Sequence, residues 1–172
     1  MYLISAYFDN ETNRIMQRYI DRVAKETGNT FMTDNNVPPH LTISSIEARN
    51  VDVLIPAFKA LSENIRAGEI YFASTGQLHP YVMYVTPVLN NYLQEIQESV
   101  YNAYSNIEET TISKFYQPYS WLPHVTIGKK LSKNQMRDAF NIMQEIFVPF
   151  KGKITEIGLA KVNPHEDVLK MY

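Results

Sequence analysis

Two short segments carry the side chains best suited to chemistry. Residues 38–43 read PPHLTI and residues 122–127 read LPHVTI, so His124 follows His40 by 84 positions in nearly the same context. In an extended strand, residues i and i+2 point to the same face, so each histidine projects together with the threonine two positions later. Imidazole titrates near neutral pH, and two rings can divide the roles of general base and general acid. The threonine hydroxyls can donate hydrogen bonds to an anion between the rings, and this combination suits cleavage of a phosphodiester.

The elements around the two motifs follow one order in both halves of the chain. Hydrophobic periodicity and capping signals predict strand, helix, motif strand, helix and strand, at 1–8, 10–26, 40–47, 52–66 and 68–78. From residue 81 the same order is predicted again. The strands are predicted at 81–86, 124–129 and 152–162, and the helices are predicted to start at Thr86-Pro87 and at the Ser132–Gln135 capping box. A last strand at 167–172 follows a polar turn at Asn163-Pro164. Residues 29–37 are predicted to be loop, and 106–122 resist assignment.

Equal spacing within the two halves indicates an internal duplication. Gly68 follows His40 by 28 positions, and Gly152 follows His124 by 28 positions. The chain is therefore predicted to be one α+β domain, 1–172, with two lobes at roughly 1–80 and 81–172 related by a pseudo-twofold axis. Two antiparallel-rich sheets would flank a central groove, with helices packed on their outer faces. The two motif strands would face one another across that groove.

Composition limits the classes of function. The chain has 172 residues, of which 45% are hydrophobic and 20% charged, so it is expected to bury a core rather than stay disordered. It contains no cysteine, which excludes disulfides and thiolate metal sites and makes a cytoplasmic setting the default. No apolar run is long enough to span a membrane, and the first residues lack the features of a secretory signal. With a net charge of −2, long duplex nucleic acid is not an expected partner.

The twin motifs resemble those of the two-histidine (2H) phosphoesterase superfamily, which includes bacterial RNA 2′,5′-ligase-like proteins and cyclic phosphodiesterases. The resemblance rests on PPHLTI and PHVTI, each in a predicted strand of one half. It implies that His40, Thr42, His124 and Thr126 form the catalytic set and that no metal or cofactor is needed. One position differs from some RNA-ligase-like members, which carry an arginine before the second Pro-His where this chain has Leu122.

The expected activity is metal-independent hydrolysis of a 2′,3′-cyclic phosphate, or of a 2′,5′ linkage, on a nucleotide or a short RNA end. Two other interpretations stay open: a module that binds such a ligand without turnover, and a metal-dependent hydrolase. Tyr119, Trp121 and Lys129 are candidates for substrate binding, the rings by stacking on a base and the ammonium by contacting phosphate. Core packing is the alternative for the aromatic residues, and solvent exposure for the lysine. His79 and His165 are expected to be solvated turn residues.

Overall fold

The computed structural model describes residues 1–162 and 166–171, and its first half is built from three strands and three helices. Strand β1 (Tyr2–Phe8) leads into α1 (Asn10–Thr27), and the short helix α2 (Phe31–Asp34) precedes β2 (Leu41–Ala48). A 3₁₀ turn at Val51–Val53 leads into α3 (Ile55–Ser62), which is followed by β3 (Gly68–Leu78).

The second half contributes five strands and two helices to the described residues. They are β4 (Val82–Pro87), α4 (Asn91–Ser105), β5 (Thr110–Ile112), β6 (Val125–Gly128), α5 (Lys133–Ile146), β7 (Phe150–Lys161) and β8 (Glu166–Met171). A 3₁₀ turn at Lys114–Tyr116 lies between β5 and β6. The predicted turn at Asn163-Pro164 and His165 fall outside the described residues.

Local capping chemistry defines the ends of the helices that frame the motif strands. Asp9 caps α1 by accepting a hydrogen bond from the Thr12 N–H, and Gly28 ends the helix with a positive φ of 69°. Ser132 and Gln135 form the predicted capping box at the start of α5. These side chains satisfy backbone groups that a helix end leaves without intrahelical partners.

The α+β class is confirmed, and all eight strands join one antiparallel sheet. The pairing order is β1-β2-β6-β4-β3-β7-β8, with β5 added to β2. Strand β1 also pairs with β7, so six of the strands close into a ring. The strands predicted to form two sheets are therefore joined by hydrogen bonds into one sheet.

In each half, the last strand of the repeated order pairs with the first strand of the other half. Strand β3 of the first half pairs with β4 of the second, and β7 of the second half pairs with β1 of the first. The predicted repeat in element order is present in the two halves of the chain. The sheet therefore joins the two halves through β1–β7 and through β3–β4.

The helices cover the outer face of the motif strands. Helices α1 and α5 pack together and α1 lies on β6, while α3 and α4 pack together and α4 lies on β2. The apolar residues that alternate with the histidine and threonine positions are almost fully buried in this core: Leu41, Ile43, Val125 and Ile127. Among the described residues, no helix combines the length and the apolar character needed to cross a membrane.

Three sequence predictions of local structure need correction. The segment 29–37 is not all loop, since α2 forms within it. The second-half helix does not start at Thr86-Pro87: β4 runs through Pro87, and Asn90 caps α4 by accepting from the Leu93 N–H. The predicted helix 52–66 is shorter, because a 3₁₀ turn precedes α3. At α4 the Asn90 side chain sets a boundary that periodicity alone leaves open.

Candidate active site

Direct pairing of the two motif strands brings the predicted catalytic residues together. Strands β2 and β6 are antiparallel, with Leu41 opposite Val125. Continuing this register by one residue in each direction places Thr42 opposite His124 and His40 opposite Thr126. Opposite residues of an antiparallel pair project to the same face of the sheet. The geometry thus places both motifs on one face, with each histidine beside the threonine of the other motif.

These four side chains line one cavity of about 290 Å³. His40 and Thr42 come from the first motif, and His124 and Thr126 from the second. Phe31 of α2, Tyr116 and Lys129 also line it. The volume lies near the lower end of the range of about 300–1,000 Å³ that is usual for small-molecule sites.

Both imidazole rings are held in the same orientation by the chain just before them. His40 Nδ1 lies 2.8 Å from the carbonyl oxygen of Pro38, and His124 Nδ1 lies 2.8 Å from that of Leu122. A carbonyl can only accept, so Nδ1 must carry the proton in each ring. Nε2 is then the basic nitrogen of the neutral ring, which fixes the tautomer that general-base chemistry requires.

A tyrosine packs against each histidine, and a glycine lies under each tyrosine. The ring centroids of Tyr84 and His124 are 5.4 Å apart, and those of Tyr7 and His40 are 6.4 Å apart. A Cβ atom on Gly158 would lie 2.6 Å from Cε2 of Tyr7, so a larger residue there would displace the ring. Gly76 leaves the equivalent space beneath Tyr84. The same tyrosine–glycine support is thus repeated at both imidazole rings.

The first of these supports is anchored further by the final strand. The Tyr7 hydroxyl donates to Oδ1 of Asp167 at 3.0 Å, and Lys170 Nζ lies 2.8 Å from Oδ2 of the same carboxylate. The Lys170 ammonium also lies 4.1 Å from the centroid of the Tyr7 ring. Burial, together with the nearby Asp167 charge, raises the pKa of Tyr7 well above its ordinary value. The hydroxyl therefore stays protonated and acts as a fixed donor.

The electrostatic setting of His124 favours its neutral form. Burial lowers the pKa of His124, and the hydrogen bond to the Leu122 carbonyl offsets only part of that shift. At neutral pH the ring is therefore uncharged, with Nε2 ready to accept a proton. A phosphate in the cavity would oppose the shift, because an adjacent negative charge favours the imidazolium.

Tyr116 is a cavity residue that sequence reasoning did not select. Its hydroxyl is hydrogen-bonded to the side chain of Thr42, and burial raises its pKa above the ordinary value. The Gln97 side chain donates to the Tyr116 carbonyl at 2.8 Å, which fixes the 3₁₀ turn that carries the ring. The aromatic composition of residues 115–121 was the available signal, but it does not distinguish which ring turns inward.

The predicted stacking role of Trp121 is not compatible with its position. Its side chain is only 8% exposed, and Nε1 donates to the Thr42 carbonyl at 3.0 Å. The ring therefore holds the backbone of the first motif strand and does not line the cavity. Tyr119 is 90% exposed and likewise lies outside the cavity lining, so a base held in the cavity would not stack on it.

Lys129 does line the cavity and brings a positive charge to its rim. Its Nζ lies 5.8 Å from the ring centroid of Phe31, and Lys130 Nζ lies 4.5 Å from the same centroid. Contacts of this kind hold a lysine near an aromatic face without neutralising its charge. Within 1–162 and 166–171, no group of three His, Asp or Glu residues is arranged to hold a metal ion.

Comparisons with known proteins agree with this geometry. Residues 14–166 match the family described as the 2′-5′ RNA ligase superfamily. No curated protein sequence matches the chain at a significant level.

Three similar crystal structures share the fold over almost the whole chain. E. coli LigT complexed with 3′-AMP has a TM-score of 0.67 at 15% identity, covering 98% of this chain and 95% of that one. E. coli LigT complexed with NADP⁺ has a TM-score of 0.62 at 14% identity, covering 99% and 95%. A structure described as a phosphoesterase has a TM-score of 0.65 at 14% identity, covering 98% and 95%. The family match over most of the chain identifies this protein as a member of the 2′-5′ RNA ligase superfamily, within the 2H phosphoesterases.

Proposed function

We propose that this protein is a metal-independent phosphodiesterase that hydrolyses a 2′,3′-cyclic phosphate, or a 2′,5′ linkage, on a nucleotide or a short RNA end. The observation that supports this most strongly is the single cavity lined by both histidines and both threonines. Two proton-transfer groups and two hydroxyl donors around one small volume match the hydrolysis of a phosphodiester, in which the attacking water loses a proton and the leaving ester oxygen gains one.

The reaction on a 2′,3′-cyclic phosphate needs one neutral and one protonated ring. Nε2 of the neutral ring removes a proton from a water molecule, whose oxygen attacks phosphorus. The P–O bond to one ribose oxygen breaks, and the imidazolium donates its proton to that oxygen. The product is a phosphate monoester, and the rings have exchanged protonation states until solvent resets them. The hydroxyls of Thr42 and Thr126 donate to the non-bridging oxygens as negative charge builds on them.

Two further features support a nucleotide-sized anionic substrate. Lys129 at the cavity rim is positioned to attract a phosphate. The similar LigT structures were solved with 3′-AMP and NADP⁺, which are nucleotide ligands.

The proposal is tested by turnover of 2′,3′-cyclic nucleotides and 2′,5′-linked dinucleotides with EDTA present. The protein is expected to form a phosphate monoester from at least one of them, and His40→Ala and His124→Ala are each expected to lower kcat by about 10²–10⁴-fold. Asn141→Ala, at an exposed position of α5, is the matched control and should leave turnover unchanged. Loss of activity with EDTA would support a metal-dependent hydrolase, and tight binding without product would support a binding module.

A further inference from the structure

A second cavity lies directly beside the first. Its volume is about 400 Å³, and three of the residues that line it also line the histidine cavity: Leu78, Tyr116 and His124. We call it the side cavity, and its other lining residues are His79, Phe115, Ser120 and Leu122. The two cavities therefore adjoin at Leu78, Tyr116 and His124, so a ligand bound at the two histidines lies next to a second concave site.

Large apolar and aromatic side chains line the side cavity and are exposed to water, which is energetically unfavourable. Phe115 is 66% exposed and Leu122 is 43% exposed, although both are large apolar side chains. Exposed apolar groups gathered around a concavity are typical of a ligand site rather than of an ordinary surface. Lys114 Nζ lies 5.2 Å from the Phe115 ring centroid and adds a positive charge at this edge.

Polar groups at the same cavity can orient a ligand. Ser120 offers a hydroxyl, and the His79 ring offers a donor and an acceptor. A flat group with an aromatic face and a hydrogen-bonding edge matches this combination, because the face can stack on Phe115 while the edge meets Ser120 or His79. A nucleobase has both properties.

Resting on the proposed function, we propose that the side cavity binds the base of a second nucleoside, so that the preferred substrate is a dinucleoside phosphodiester rather than a mononucleotide. The scissile phosphate lies over His40 and His124, one nucleoside occupies the histidine cavity, and the nucleoside on the His124 side reaches Phe115. The two cavities are each near the lower end of the usual size of a ligand site, and joined they fit a ligand larger than one nucleotide.

The test compares three substrates that share one nucleoside: a 2′,5′-linked diadenosine monophosphate, adenosine 2′-methylphosphate, and adenosine 2′,3′-cyclic phosphate. Phe115→Ala is expected to lower kcat/KM about tenfold for the diadenosine compound and to leave the other two unchanged. Phe115→Trp, which keeps a stacking face, should retain most of the wild-type preference. Tyr71→Ala removes an exposed aromatic ring that lines neither cavity, and it should leave all three substrates unchanged.

A binding measurement separates failure of the subsite from failure of the proposed activity. In His40→Ala protein, calorimetry is expected to show that the diadenosine compound binds at least tenfold more tightly than the methyl ester, and that Phe115→Ala abolishes this difference. Absence of turnover in wild-type protein with this difference present would overturn the phosphodiesterase and leave the subsite standing. Equal binding of the two ligands, or an equal effect of Phe115→Ala on all three substrates, would overturn the subsite.

Discussion

Leu41 pairs with Val125 across antiparallel strands, and this backbone pairing brings the two histidine–threonine motifs to one cavity. Neither residue has a chemical role. Both are fully buried apolar side chains beneath the helices, while the residues on either side of them project to the opposite face. The position of each histidine is therefore set by a core contact one residue away from it.

The first prediction concerns the two threonine hydroxyls. Thr42→Val and Thr126→Val keep the shape of the side chain but remove a donor to the phosphate oxygens, so each is expected to lower kcat by about 10²–10³-fold with a smaller change in KM. Steady-state kinetics on the substrate that wild-type protein cleaves best provides the measurement. Thr111→Val, on the exposed face of β5, is the matched control. If kcat is unchanged in both Thr42→Val and Thr126→Val, the threonine hydroxyls do not take part in the reaction.

The second prediction concerns the tyrosine beneath His124. Tyr84→Leu removes the ring that packs against the imidazole, so His124 loses its fixed orientation and kcat is expected to fall about tenfold at nearly constant KM. Tyr84→Phe keeps the ring and should keep most of the activity. Gly76→Ala should act like Tyr84→Leu, because a methyl group there displaces the Tyr84 ring. A Tyr84→Leu enzyme with wild-type kcat would show that the ring has no positioning role.

The third prediction follows from the lowered pKa of His124. NMR titration of the ring protons should give a pKa below the model-compound value of 6.5, and inorganic phosphate should raise it by favouring the imidazolium. Because the folded pKa lies below the unfolded one, the unfolded chain binds more protons as pH falls through 6.5. The free energy of unfolding should therefore decrease over that window and stay level above it.

The control for this titration is His124→Gln, which should lose that part of the pH dependence of unfolding. A wild-type His124 that titrates at or above 6.5 in the absence of phosphate would contradict the prediction.

The fourth prediction concerns the link between the segment before the second motif and the first motif strand. Trp121→Phe removes the indole N–H that the buried Thr42 carbonyl accepts, and it is expected to lower the free energy of unfolding by about 1–3 kcal/mol. Because Thr42 then loses a support, kcat should fall as well. Chemical denaturation and kinetics on the same preparation measure both effects. Unchanged stability and unchanged kcat would show that this hydrogen bond does not hold the motif strand.

The sequence predicts local features well where a few neighbouring residues determine them. Asp9 and Gly28 at the ends of α1, and the Ser132 box of α5, each make the backbone contacts that their residue types favour. The two motif strands are also predictable, because apolar and polar residues alternate through them. The α+β class follows from the order of these elements.

Features that depend on distant contacts are not predictable in the same way. The pairing of β7 with β1 joins strands that are far apart in the chain, and local sequence carries no signal for it. Tyr116, rather than Tyr119, lines the cavity, and its backbone carbonyl accepts a hydrogen bond from the distant Gln97 on α4. The contacts of Tyr7 with Gly158 and of Tyr84 with Gly76 are likewise not predictable from local sequence, because they form only once the strands are paired.

His40 and His124 are expected to act as a unit on one phosphate. The most direct measurement is the kcat of both single alanine variants and of the double variant on the same substrate. If the rings cooperate, each single variant loses about 10²–10⁴-fold and the double variant loses little more, because groups that act as a unit are strongly non-additive. A double variant whose loss equals the product of the two single losses would contradict a shared site.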